Sequence, residues 1–104
     1  VHLHGTSDDV LPYNGSSDWS SVQTTLDYWI NFNNTITTPT VSNDNSGGML
    51  IEHYVYDQGD SSVSVEHYKF IGGEHVWFSN TYQGQDASEL VWNFVSRYDI
   101  NGLR

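Results

Sequence analysis

Asp8 and His75 are the two residues of this chain whose type and setting best suit catalysis. Asp8 and its neighbour Asp9 follow the short run Val1-His2-Leu3-His4 and a turn-making Gly5. A carboxylate just beyond the C-terminal end of a strand sits where open α/β sheets place their chemistry. His75 follows a β-rich run and the pair Gly72-Gly73, where the backbone can bend tightly and present a ring to a cleft. A carboxylate that accepts the Nδ1–H of a histidine fixes its tautomer and stabilises the imidazolium as it forms. Asp8 and His75 can meet in this way if the strands before them are parallel neighbours, with C-terminal ends side by side. The plainer reading of Asp8 and Asp9 is a loop tied by Asx turns.

The other histidines suggest less. His2 and His4 alternate with Val1 and Leu3, as hydrogen-bonded face residues of a strand do. His53 and His67 lie in a hairpin where they could face each other, but two histidines without a third ligand do not make a zinc site. The Asp and Asn oxygens between Ser42 and Gly48 could hold calcium, yet their spacing does not fit an EF-hand loop and turn formation accounts for them. No metal and no cofactor is expected. Gly59-Asp60-Ser61-Ser62 is similar to a G-D-S esterase motif but falls in a hairpin turn. An improvised nucleophile from Ser61, Ser62 or Ser79 is a third reading.

The elements that must position Asp8 and His75 follow from pattern. Val1–His4 reads as a strand, apolar on both faces, whose free edge needs a partner. Thr6–Ser17 is loop, with Pro12, Asn14 and Gly15. Ser17 reads as an N-cap for a helix over Asp18–Asn33, with Trp19, Val22, Leu26, Trp29, Ile30 and Phe32 near helical spacing. Thr35–Gly48 is a polar linker and an expected surface loop. Met49–Tyr56 and Ser62–Ile71 form a hairpin. Asp86 opens a last helix with Leu90, Val91, Phe94, Val95 and Tyr98 on its apolar face, ended by Asn101-Gly102. The expected fold class is α/β, a single domain over residues 1–104 in the order β-α-β-β-α. Its three-stranded mixed sheet would be flanked by two helices, with the first and third strands parallel neighbours.

Composition narrows the function classes. The net charge is −10, with Lys69, Arg97 and Arg104 the only cations. So acidic a surface repels phosphate backbones and anionic membranes, so nucleic acid and membrane are not expected partners. No window approaches the roughly 18 apolar residues of a membrane span. Fourteen per cent aromatic residues argue for a packed core. With no cysteine, the chain fits cytoplasm or a secreted bacterial enzyme equally well. Starting at Val1, within a strand and without an initiator Met, it reads as a fragment or a processed product.

The stretch His4-Gly5-Thr6-Ser7-Asp8-Asp9-Val10-Leu11-Pro12-Tyr13 resembles the H-G-T-x-D-x-x-V-P-Y segment of the polyhydroxybutyrate depolymerase and feruloyl/acetylxylan esterase group of α/β-hydrolases. Gly72-Gly73-Glu74-His75-Val76-Trp77 resembles that group's G-G-G-H-x-W segment, and Asp86–Tyr98 its closing helix. The resemblance implies that Asp8 is the acid and His75 the base of a Ser-Asp-His triad. Asp9, Glu74 and Phe78 depart from the pattern, standing where the group often has Pro, Gly and Pro. The G-x-S-x-G nucleophile elbow is missing, and in these enzymes it precedes the acid and the base. The chain then corresponds to the C-terminal portion of an α/β-hydrolase catalytic domain, without its nucleophile. The implied function is a carboxylic-ester hydrolase segment, and the implied location is secreted or periplasmic. The partners are an ester substrate, and an upstream fragment carrying the nucleophile or a second copy in a homodimer. The alternative from another class is a non-catalytic truncated module acting as a binding or dimerising scaffold.

Overall fold

The computed structural model describes residues 1–104. The elements in chain order are β1 (His2–Gly5), α1 (Val22–Asn33), β2 (Thr40–Asp44), β3 (Ile51–Tyr56), β4 (Val65–Phe70), α2 (Ala87–Val95), β5 (Tyr98–Asp99) and β6 (Gly102–Leu103). The fold is mixed α/β, with a four-stranded sheet in the order β1-β4-β3-β2. β1 runs parallel to β4, with His2 opposite His67 and Gly5 opposite Phe70. β4, β3 and β2 are antiparallel.

Strand alternation sorts the side chains onto two faces. Val65 and Tyr56 share one face, which α1 covers with Val22, Leu26 and Ile30. Tyr68, Phe70 and Ile51 share the other, where Ala87 and Leu90 of α2 join Phe78 and Tyr82. The two helices therefore flank the sheet from opposite sides.

Several expectations need correction. The linker Thr35–Gly48 is not all loop, because Thr40–Asp44 pairs with β3 as a fourth strand. Four of its five residues are exposed, so this edge strand has no buried face and no apolar alternation to betray it. α1 begins at Val22 rather than Asp18, and Ser21, not Ser17, caps it by accepting the Thr24 N–H at 3.1 Å. Only Val22, Leu26 and Ile30 form its buried stripe; Trp19, Trp29 and Phe32 stay exposed. β1 is not apolar on both faces, since His2 and His4 form one of them. His53 and His67 do not face each other, because their register puts them on opposite faces of the sheet.

α2 starts where expected, with Asp86 and Glu89 in a reciprocal capping box. It stops at Val95 instead of running on to Tyr98. There Arg97 turns back to the buried Glu66 at 2.5 Å, and the Tyr98 hydroxyl meets Ser64 Oγ at 3.0 Å. These contacts pull the tail onto the start of β4. The short β5–β6 hairpin follows, with Gly102 in the left-handed region at φ 102°.

Candidate active site

Parallel pairing of β1 with β4 puts the loops after both strands at the same end of the sheet. Three contacts lock those loops together. The Ser7 N–H donates to the Gly73 carbonyl at 2.8 Å, and the Thr6 N–H to the Phe70 carbonyl at 3.0 Å. Thr6 Oγ1 accepts the N–H of Gly72 at 2.7 Å. Gly72 turns the chain at φ 80°, a conformation that suits glycine. Gly5 packs so closely on Gly73 that a methyl group at its Cα would overlap the Gly73 carbonyl. Downstream, Phe78 stacks on Phe70 with ring centroids 3.9 Å apart, which pins the far end of the His75 loop.

Asp8 and His75 meet in this frame. Asp8 Oδ2 accepts the His75 Nδ1–H at 2.9 Å. Asp8 Oδ1 accepts the N–H groups of Val10 and Leu11 at 2.9 and 2.8 Å. The Asx turn that the plainer reading offered is therefore present as well, and each function uses its own oxygen. The Asp8 side chain is only 6% exposed, while that of His75 is 48% exposed. Burial raises the pKa of Asp8, but the bonds from Leu11, His75 and Val10 outweigh it and hold the carboxyl below its ordinary range. Asp9 is exposed and makes no side-chain hydrogen bond. Glu74 forms no ion pair with His75; the ring's one carboxylate partner is Asp8.

His75 Nε2 has no hydrogen-bond partner. The ring borders a cavity of about 470 Å³, also lined by Asp8, His4, Leu11, Val76 and Trp77. An imidazole with Nδ1–H fixed by a carboxylate and Nε2 open to a cavity can accept and return one proton.

No serine hydroxyl hydrogen-bonds that nitrogen. Ser61 and Ser62 lie before β4, at the other end of the strand from His75. A strand of this length separates them by roughly 20 Å. Ser79 makes no hydrogen bond to His75 either.

The other histidines are occupied with one another, the backbone, Tyr13 and Glu66. His67 is 1% exposed; its Nδ1–H donates to the His2 carbonyl and its Nε2 accepts from the Tyr13 hydroxyl, both at 2.8 Å. Burial chiefly, with His2, His4 and Lys69 nearby, lowers its pKa to about 4 although the His2 carbonyl opposes this. His2 Nε2 lies 3.1 Å from His4 Nδ1, and His4 Nε2 is 2.7 Å from the Leu11 carbonyl. His53 Nε2 binds Glu66 at 2.8 Å. The Asp44 carboxylate accepts bonds from Ser46 and from the Gln83 N–H, as a turn-forming residue does.

In the sequence, His4 and Thr6 stand in the H-G-T-x-D segment without a role at the site being evident for either. The available signal was the spacing His4-Gly5-Thr6 directly ahead of Asp8. No family model, curated protein or solved structure matches the chain.

Proposed function

We propose that this chain is part of a carboxylic-ester hydrolase of the α/β-hydrolase type, supplying the Asp and His of a Ser-Asp-His triad. The observation that carries this reading is the 2.9 Å bond from His75 Nδ1 to a shielded Asp8, with Nε2 open beside a cavity. Asp8 holds the ring in the tautomer with Nε2 bare. Nε2 takes the proton of a serine hydroxyl as that oxygen attacks the ester carbonyl. The imidazolium, stabilised by Asp8, returns the proton to the leaving alcohol. Water repeats the cycle on the acyl-enzyme. The serine and the oxyanion hole would come from an upstream segment bearing G-x-S-x-G. Alone, a dyad without its nucleophile works about 10⁶-fold below a full triad, judged by triad dissection in other hydrolases. The polyhydroxybutyrate depolymerase and feruloyl esterase resemblance, and with it a secreted or periplasmic site of action, belongs to this same proposal.

The test is hydrolysis of p-nitrophenyl acetate by the chain mixed with such a segment. Activity that appears only in the mixture and is lost in His75→Ala supports the reading. An unchanged rate in His75→Ala overturns it.

One feature favours the second reading, a non-catalytic scaffold. β1 is an edge of the sheet, and beside it runs a groove of about 400 Å³ lined by Val1, Leu26, Trp29 and Phe94. An unpaired edge of this kind can accept a strand from a second copy. A chain that sediments only as monomer across a wide concentration range speaks against it.

A further inference from the structure

We infer that His4 is a positioning residue for the Asp8–His75 pair; this rests on reading Asp8 as the acid that orients His75. His4 sits on β1, whose backbone is fixed by pairing with β4. Its Nε2 lies 2.7 Å from the Leu11 carbonyl oxygen. A carbonyl only accepts, so the proton is on Nε2. In the neutral ring the bare Nδ1 then accepts the Nε2–H of His2, 3.1 Å away. The ring's orientation is thus set from both sides, and the Tyr13 ring packs edge-on against it at 5.7 Å.

Leu11 passes that order to Asp8. Its carbonyl is held by His4, and its N–H donates to Asp8 Oδ1 at 2.8 Å. The near end of the loop is tied to the sheet by the Ser7 N–H on Gly73. The far end, Val10–Leu11, is tied to the sheet through His4. The same Nε2–H also lies 3.4 Å from Asp8 Oδ2, the oxygen that takes the His75 proton. That is too long for a good hydrogen bond, but it sets a positive edge against the oxygen and opposes its rotation away. Without His4, the Asx turn keeps its own bonds but Leu11 loses its bond to β1, and the next tie to the sheet is Tyr13 on His67. Asp8 Oδ2 is then no longer held on His75 Nδ1, and the free ring samples both tautomers.

The readout is therefore the tautomer of His75, which a purely stabilising residue would leave alone. Long-range ¹H–¹⁵N correlations of the labelled protein, at about pH 8.5 and above the ordinary histidine range, report which ring nitrogen carries the proton. Asp8→Ala provides the spectrum of an unpartnered ring. In the wild type the proton is expected on Nδ1. His4→Ala and His4→Phe shift His75 towards the Asp8→Ala pattern, Phe keeping the packing on Tyr13 without the donor. His4→Gln restores the wild-type pattern, since its amide N–H can reach the Leu11 carbonyl. A folded His4→Phe protein whose His75 still carries its proton on Nδ1 overturns the inference. So does failure of both Ala and Phe variants to fold, because His4 then serves stability. A wild-type His75 protonated on Nε2 instead removes the Asp8–His75 pair, and with it the proposed function as a whole.

Discussion

Acid should begin to destabilise this domain above the range where carboxylates are neutralised and go on doing so within it, and two residues of β4 account for much of the loss. His67 and Glu66 are neighbours in sequence on opposite faces of the sheet, 1% and 5% exposed. His67 titrates at about 4 instead of 6.5, chiefly because burial disfavours the charged ring. Glu66 is pushed up by burial, but bonds from His53 and Arg97 outweigh this and lower it from 4.5 to about 2. Both groups bind protons less tightly in the folded chain than in the unfolded one. Their stabilisation is therefore complete above the unfolded values and is lost as pH falls. His67 acts between about 6.5 and 4, and Glu66 between about 4.5 and 2. Each shift is worth about 3 kcal/mol at about 1.4 kcal/mol per unit. The sum, about 6 kcal/mol, falls at the lower end of the about 5–15 kcal/mol that typically holds a domain together. Urea unfolding followed by fluorescence of the four Trp residues measures this. Between pH 7 and 4 the His67 part alone should lower the midpoint by roughly 1–3 M, given m values of about 1–3 kcal/mol/M. His67→Gln should flatten the profile over that range. A wild-type midpoint that stays constant from pH 7 to 4, or a His67→Gln protein with the wild-type slope, would refute the account.

Three further outcomes test the frame of the site. Gly5→Ala forces a methyl group onto the Gly73 carbonyl, so a loss of about 3 kcal/mol or more is expected in the same urea assay, because backbone on both sides cannot yield. His75→Ala should change stability by less than about 0.5 kcal/mol, since an ion pair with one half-exposed partner contributes little; a larger drop would mean the pair helps hold the loops. Asp86→Ala removes the cap of α2 and its reciprocal bond with Glu89, and circular dichroism melting should report a loss of about 1 kcal/mol.

Legibility in the sequence followed burial. The β1–β4 adjacency could be read because Leu3, Tyr68 and Phe70 are residues that a sheet buries, β1 ends in Gly5 and Gly72-Gly73 closely follow β4. β2 could not, because Thr40–Asp44 lies on the sheet edge and carries almost no buried side chain. Trp19 misled the start of α1: it lies near helical spacing from Val22 and Leu26, yet the local cap at Ser21 sets the boundary. Asp8 and His75 were visible because each follows a strand and a glycine. His4 was not, because its partner is the Leu11 carbonyl seven residues on, and backbone carbonyls leave no trace in composition.

The unequal exposure of Asp8 and His75 shows which way the causation runs at the site. A hydrogen bond to a 48% exposed imidazole competes with water and is screened by salt, so it cannot by itself fold two loops against each other. The loops are joined mainly by backbone instead: Ser7 on Gly73, Thr6 on Phe70, the Gly72 N–H on the Thr6 hydroxyl, and a glycine contact too close for any side chain. The Asp8–His75 bond is a consequence of that frame and is free to break and re-form with little cost to the fold. In the proposed mechanism the ring takes and returns its proton at Nε2, while the Nδ1–H stays on Asp8 Oδ2. Fixing the acid largely through backbone contacts while leaving the ring half open gives His75 a constant partner without immobilising Nε2. The small domain can hold such a pair because the stability it needs is drawn from β4 and the two flanking helices, away from the residues that would move protons.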